Sequence, residues 1–385
     1  DWYKTLLPEQ IPFISYPYEW SFGQLKDAAL LTLSIMKLAV EHGMILKDAS
    51  AYNIQFTGGK AIFIDTLSFE KYDPNKTWVA YRQFCQMFLF PLYLGHYTKT
   101  GIQKILSVYP EGIPVDITAK LLPFKSRFNL GVRLHVLLQK NISARNIKNE
   151  KENFSKNKLL HLVSHLESII RSLHNEDKTK GWDNYYTETI LGKQYLDEKE
   201  KIFRSFIDPL NITTALDLGA NTGHFSKILA AKATQVIAVD DDGKTIDALY
   251  HEIKCSQIKN VLPLVVDISN PSPAIGFNNT ERASFQGRIK TELVAALAII
   301  HHLVIGKNIT LGLLAEYFQN ICNQLIIEWV PREDEKVQQM LAGRKDVFQD
   351  YTEDFFTTQF SKYFNINKKA AIPGTKRVLY FLLKK

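Results

Sequence analysis

The chain has 385 residues, 45% of them hydrophobic and 23% charged. That balance excludes disordered and fibrous classes, and the length favours two domains over one. The formal charge of +7 is a moderate basic excess, compatible with an anionic partner such as a nucleic acid, a phospholipid surface or a nucleotide, but equally common in proteins that bind none of these. Cys85, Cys255 and Cys322 are far apart, with no C-x-x-C pair, and read as buried thiols in a reducing compartment. No run approaches the roughly 18 apolar residues of a membrane span, and DWYKTLLPEQ lacks the basic and apolar regions of a secretion signal. A cytoplasmic enzyme without a membrane span is the expectation.

In chain order, SFGQLKDAALLTLSIMKLAVEHG predicts a long helix stopped by Gly43. LKDASAYNIQF follows, and NIQF and KAIFID flank TGG as a hairpin. WVAYRQFCQMFLFPLYLGHY is a strongly apolar helical region, and ITAKLLPF and LGVRLHVLLQK also read as helical. Residues 1–140 are thus expected to form a mainly helical domain with one β-hairpin. The polar stretch QKNISARNIKNEKENFSKNK reads as a linker. After it, Leu159, Leu162, Val163, Leu166, Ile169, Ile170 and Leu173 recur at helical spacing. Residues 141–180 are therefore a linker and an amphipathic helix, expected to dock onto the second domain.

Over 181–385 the pattern becomes alternating strands and helices. TALDL, QVIAVD, VLPLVVD, LVAALAII and QLIIEWV are apolar runs of the kind that form buried parallel strands. FNINKKAAI and RVLYFLLKK flank PGTK and predict a terminal hairpin. The fold class is α/β, a doubly wound, seven-stranded Rossmann-like sheet behind a mainly helical domain.

The sharpest motif is TALDLGANTGHFSKILAAKATQVIAVDDD. A strand ends in Asp217, and a turn holds Gly219, Asn221 and Gly223. A helix then starts near His224, and the next strand ends in Asp240. Open α/β sheets bind ligands at the carboxyl ends of their strands. The glycines permit positive φ and close approach of backbone to a ligand, and Asn tolerates the left-handed region. These residues resemble motif I of S-adenosylmethionine-dependent methyltransferases, D-x-G-x-G-x-G, with one Gly replaced by Asn. The resemblance covers about 181–385 and implies the class I methyltransferase sheet and S-adenosyl-L-methionine as cofactor. It places Asp240 on the ribose hydroxyls and Asp267, in LVVDIS, near the adenine amino group. The competing cofactor, NAD, fits less well: the spacing is G-A-N-T-G rather than G-x-G-x-x-G, and Asp217 suits a cationic methionine moiety but would repel a pyrophosphate. Trp182, Tyr185 and Tyr186, in GWDNYYTETILGKQY, stand where this superfamily folds a helix over the cofactor; capping of adenosylmethionine and ordinary packing are both open.

The acceptor site of such a sheet lies at the ends of the fourth and fifth strands. AIIHHL presents His301 and His302 there, and IIEWVP presents Glu328 and Trp329. Transfer to an OH or NH acceptor requires removal of a proton, a task that suits histidine. On a strand the two histidines would point to opposite faces, leaving one of them structural, unless the strand has already ended before them. Glu328 is either a base or the partner of another group. Without further His or Cys at ligand spacing, no metal is expected. Between the third and fourth strands, Arg282 and Arg288 are candidates to hold an anionic acceptor, or are simply solvated. The acceptor is unknown, with a nucleic acid among the possibilities.

ISYPYEWSFGQLKDAALLTL, LKDASAYNIQF, IDTLSFE, WVAYRQFCQ, ERASFQGR, ALAIIHHL and IIEWVP together resemble a bacterial family of methyltransferases related to nodulation proteins. In the first domain, Asp48, Asn53 and Asp65 keep the spacing of the catalytic and metal-binding loops of kinases and aminoglycoside phosphotransferases. That resemblance implies a degenerate kinase-type C-lobe. Leu46 and Lys47 stand where a catalytic His would be, DTL replaces D-F-G, and a Gly-rich loop and strand lysine are missing. A loop whose Asp48 and Asn53 satisfy its own amides is favoured. The alternatives are a kinase-like phosphotransferase, with Asp48 as base and Asn53 and Asp65 on magnesium, and a module that binds a nucleotide or a partner.

Overall fold

A computed structural model describes residues 7–144, 155–175, 192–342 and 347–385. The chain divides into two compact units, Asp1–Glu176 and Asp177–Lys385.

In the first unit, helix α1 (Phe22–Glu41) starts at a reciprocal cap. The Ser21 hydroxyl accepts from the Gln24 N–H, and the Gln24 side chain accepts from the Ser21 N–H. The predicted stop holds, with Gly43 at φ 72° just beyond the helix. Strand β1 (Met44–Leu46) follows, then β2 (Ile54–Thr57) and β3 (Lys60–Phe63), which pair as the expected hairpin across Gly58 and Gly59. Strand β4 (Phe69–Lys71) returns to pair with β1, a match of three residues on each side that is too short to stand out in sequence. The apolar stretch after it is helical from Tyr81 to Thr98, passing through a π turn at Cys85–Leu89 just before Pro91. Proline cannot donate to the ladder, and a local π turn accommodates the break.

Helix α2 (Lys156–Ser172) has the amphipathic face expected of it, with Leu159, Val163, Leu166 and Ile170 buried. Its partner differs from the expectation. The helix packs against α1, within the first unit, where Lys37 pairs with Glu167 and Lys26 Nζ donates to the carbonyls of Arg171 and Leu173 at 2.9 and 2.7 Å. Periodicity specifies that a face is buried, not what buries it. The boundary between units accordingly falls at 176/177, within the segment read as linker and helix.

The second unit starts with helix α3 (Lys193–Ile207), then strand β5 (Ile212–Leu218), helix α4 (His224–Ala230), β6 (Ala233–Asp240), helix α5 (Gly243–Cys255) and β7 (Val261–Val265). It continues with β8 (Thr291–Ala296), helix α6 (Leu311–Ile321), β9 (Cys322–Trp329), β10 (Phe364–Ala371) and β11 (Val378–Lys384). The sheet has seven strands in the order β10-β11-β9-β8-β5-β6-β7. Strands β5 to β9 are mutually parallel, and β11 runs antiparallel to both β9 and β10. This is the class I methyltransferase order, with the predicted terminal hairpin. Phe203, Ala215, Ala238, Leu249, Leu293, Ile326 and Leu379 share one buried core, so the sheet is anchored by apolar layers while its carboxyl edge stays polar. The chain leaves β5 toward β6 on one side and later enters β8 on the other, which puts the switch point, the usual ligand crevice, between β5 and β8.

Candidate active site

At that crevice, Asp217 is 2% exposed and accepts a hydrogen bond from Ser226 Oγ at 2.6 Å. Burial pushes its carboxyl up to about 6, against the opposing pull of Ser226 and Lys199. The turn after it needs the left-handed region three times, at Gly219 (φ 78°), Asn221 (φ 50°) and Gly223 (φ 77°). Asp240 ties this turn to the end of β6: its Oδ2 accepts from the Asn221 N–H and its Oδ1 from the Asp242 N–H, both at 3.0 Å. Burial raises the Asp240 pKa, and these two amides oppose the rise. Beyond β7, Asp267 Oδ1 accepts from the N–H and hydroxyl of Ser269 at 2.9 and 2.5 Å, and Lys307 Nζ lies 3.6 Å from Oδ2. Three carboxylates thus stand at three successive strand ends.

Both glycines take the positive φ expected of them, and each also makes room for a neighbouring side chain. A Cβ on Gly223 would collide with Leu249, so this glycine lets α4 close onto α5. A Cβ on Gly219 would meet Ile299 Cδ1 at 3.1 Å, which shows that the loop after β8 lies directly against the turn. Trp182, Tyr185 and Tyr186 lie outside the described residues.

For the histidines, the structure takes the alternative in which the strand ends before them. Strand β8 stops at Ala296, and the helical turn carrying both of them starts at Ile300. Ala298 between them is held at φ 53°, a conformation that costs an alanine about 1 kcal/mol. Strand alternation therefore does not govern His301 and His302. Their rings lie side by side, with centroids 4.2 Å apart. His301 is 1% exposed and its Nδ1 has no hydrogen-bond partner among the described residues. Burial, then the neighbouring His302 and Arg377, lower its pKa to about 3, so the ring is neutral. His302 is solvent-exposed; burial of part of the ring and Lys336 lower its pKa, while Asp241 opposes them.

Glu328, at the end of β9, is fully buried and is the hub of an ion cluster. Lys199 Nζ lies 2.6 Å from its Oε2; Tyr195 donates its hydroxyl to Oε1 at 2.5 Å, and Arg377 Nη1 lies 3.3 Å from the same oxygen. Arg377 also grips Asp334 with two bonds, Nε to Oδ2 at 2.8 Å and Nη2 to Oδ1 at 3.0 Å, and donates to the Tyr195 hydroxyl at 2.9 Å. Burial alone would raise the Glu328 carboxyl, but Lys199 and Arg377 outweigh it and hold the group below its ordinary value. Of the two roles open to Glu328, the geometry is that of a paired anion. Trp329 packs, its ring stacked on Phe356 at 5.2 Å and tilted against Tyr351 at 4.6 Å. Sequence reasoning did not single out Tyr195, Lys199, Asp334 or Arg377; Lys199 lies in LDEKEK and Asp334 in PREDEK, where neighbouring charges hide the one that is buried.

The arginines of the long loop have local partners. Arg282 Nη1 lies 3.3 Å from Glu281, and Arg288 donates to the Ala283 carbonyl at 3.1 Å above the Phe285 ring. Among the described residues, no group of three or more His, Cys, Asp or Glu is placed to hold a metal ion.

In the first unit, Asp48 Oδ1 accepts from the Ser50 N–H at 2.9 Å, and Asp65 Oδ1 from the Leu67 N–H at 2.8 Å. Asn53 Nδ2 donates to Ser68 Oγ at 2.9 Å, which donates to Asp65 Oδ2 at 2.5 Å. Asn53 and Asp65 are therefore brought together through Ser68, and each acid also caps its own turn.

No family model matches the chain. Among solved structures it is similar to the N-methyltransferase NodS from Bradyrhizobium japonicum WM9 in complex with S-adenosyl-L-homocysteine, with 10% identity over 53% of this chain and 93% of that one and a TM-score of 0.39. It is also similar to an S-adenosylmethionine-dependent methyltransferase from Clostridium acetobutylicum ATCC 824, with 16% identity over 53% of this chain and 96% of that one and a TM-score of 0.36. Nodulation protein NoeA of Rhizobium meliloti (strain 1021) is 34% identical over 377 residues, which take in 95% of this chain and 79% of the relative. On that match, which runs through both units, the chain belongs to the family of nodulation protein NoeA.

Proposed function

We propose that the second unit is an S-adenosylmethionine-dependent methyltransferase acting on an O–H or N–H acceptor. The observation that carries this reading is the set of carboxylates Asp217, Asp240 and Asp267 at successive strand ends around a turn with three left-handed residues. Asp240 is suited to the ribose hydroxyls, Asp267 to the adenine amino group and Asp217 to the cationic methionine moiety. When bound, the cofactor supplies an electrophilic methyl group on a sulfonium. The chain's own part is to orient the acceptor and take its proton. His301, buried and with an Nδ1 that has no hydrogen-bond partner among the described residues, is the candidate for that second role, and Arg377, Glu328 and Asp334 are near enough to act on its charge.

The two buried cations of that cluster, Lys199 and Arg377, are matched by Glu328 and Asp334, which favours an uncharged acceptor group over an anionic one. The first-unit loop is read as structural, because Asp48 and Asp65 cap its turns and Asn53 braces it. Titration with Mg-ATP is then expected to give no binding heat, and binding abolished by Asp65→Ala would instead support the phosphotransferase reading.

The test is transfer of labelled methyl groups from adenosylmethionine into fractionated cell extract, with nuclease or protease used to classify the labelled product. Wild-type protein should label one fraction and Asp240→Ala none. Equal labelling by the two proteins in every fraction would sink the proposal.

A further inference from the structure

Six large apolar side chains of the first unit face solvent within a short stretch: Leu121, Phe124, Phe128, Leu130, Leu134 and Leu138, each between 41% and 79% exposed. They sit on segments that pack on one another, and so are placed to form one strip. The helix Val115–Leu121 packs against the helical segments Arg133–Leu138 and Gln139–Ala144, and Leu130–Val132 packs against the turn Phe124–Phe128. The rings of Phe124 and Phe128 meet edge to face, with centroids 5.8 Å apart.

Leu130, Leu134 and Leu138 recur every four residues, and the π turn over Arg133–Leu138 widens the helix so that this spacing stays on one side. The other side is already buried: Val132 and Val136 are 0% exposed and His135 is 4% exposed. A helix that is apolar on both sides needs a second cover, and a contiguous exposed apolar patch marks an interaction site.

Charge selects the occupant. Lys120, Lys125, Arg127, Arg133 and Lys140 are interleaved with the apolar residues, and no Asp or Glu occurs from Ile117 to Ala144. Arg127 lies over the Phe124 ring at 5.4 Å. A second copy of the chain would bring the same positive face against this one, which repulsion opposes. Single-stranded nucleic acid is bound by aromatic stacking platforms, whereas four of these six side chains are leucines.

We propose that the strip seats the protein peripherally on an anionic phospholipid surface, with the phenylalanines and leucines entering the headgroup boundary and the cations meeting lipid phosphates. Phe and Leu beside Lys and Arg is the composition of helices that lie in that interface. The inference is independent of the methyltransferase reading, since it concerns the first unit alone.

The test is cosedimentation of the full chain with phosphatidylcholine vesicles, with and without phosphatidylglycerol. Wild-type protein should partition onto the anionic vesicles and be released as salt is raised. The double variant Phe124→Ser/Phe128→Ser should bind roughly tenfold or more weakly, from lost apolar burial. Lys125→Glu/Arg127→Glu should lose binding while keeping both rings. All four positions are exposed, so unchanged thermal melting is expected of both variants. Failure of the wild type to bind anionic vesicles would overturn the proposal, as would undiminished binding by both variants. A dimer that dissociates in the phenylalanine variant, with no vesicle binding by the wild type, would reassign the strip to self-association.

Discussion

At the scale of single residues, the role proposed for Asp217 sets stability against binding. The fold raises its pKa to about 6 by burial, so the folded state prefers the protonated acid, and ionising it costs stability as pH rises through the interval from about 4 to 6. A cationic ligand requires the opposite form. Affinity for adenosylmethionine should therefore rise with pH through about 6, and Asp217→Asn should remove that dependence and weaken binding while raising the melting temperature at pH 7. Calorimetric titrations and melts at pH 5, 6 and 8 read both effects. His301 gives a second residue-scale prediction. With its pKa near 3, kcat at saturating cofactor should show no histidine limb near 6.5, and His301→Asn should lower kcat by about 10²-fold or more with little change in cofactor affinity. A kcat that is unchanged in His301→Asn would remove it from the chemistry.

At the scale of elements, the cluster of Tyr195, Lys199, Glu328, Asp334 and Arg377 joins α3, β9, the segment after β9 and the residue before β11. Removing one member leaves a buried charge unmatched, so Glu328→Gln or Arg377→Met should cost about 3–5 kcal/mol in denaturant unfolding. Glu328 and Asp334 are both held below their ordinary values, each by opposite charges that outweigh burial. Their contribution is therefore present above the unfolded carboxylate range of about 4, and is lost as pH falls through the depressed folded values. This cluster was not legible in the sequence, because its members meet across as many as 182 positions and no local pattern encodes such a meeting. The strands and the glycine turn were legible, because apolar runs and positive-φ residues are short-range signals. The histidines fall between these cases. AIIHHL continues the apolar pattern of β8, and only the left-handed turn at Ala298, which an alanine does not advertise, ends the strand before them.

At the scale of the whole molecule, each of the two units has its own hydrophobic interior, and the match to nodulation protein NoeA runs through both. A ligand that binds folded second unit stabilises that unit by mass action, by about 2.7 kcal/mol at a hundredfold excess over Kd. Heating should show a transition that moves up with adenosylmethionine and, in Asp240→Ala, no longer moves. The most direct measurement of the central claim is calorimetric titration of the full chain with adenosylmethionine. The account predicts saturable binding by the wild type with Kd between about 1 μM and 1 mM, lost in Asp240→Ala. No binding heat from the wild type, or equal affinity in the two proteins, would contradict it.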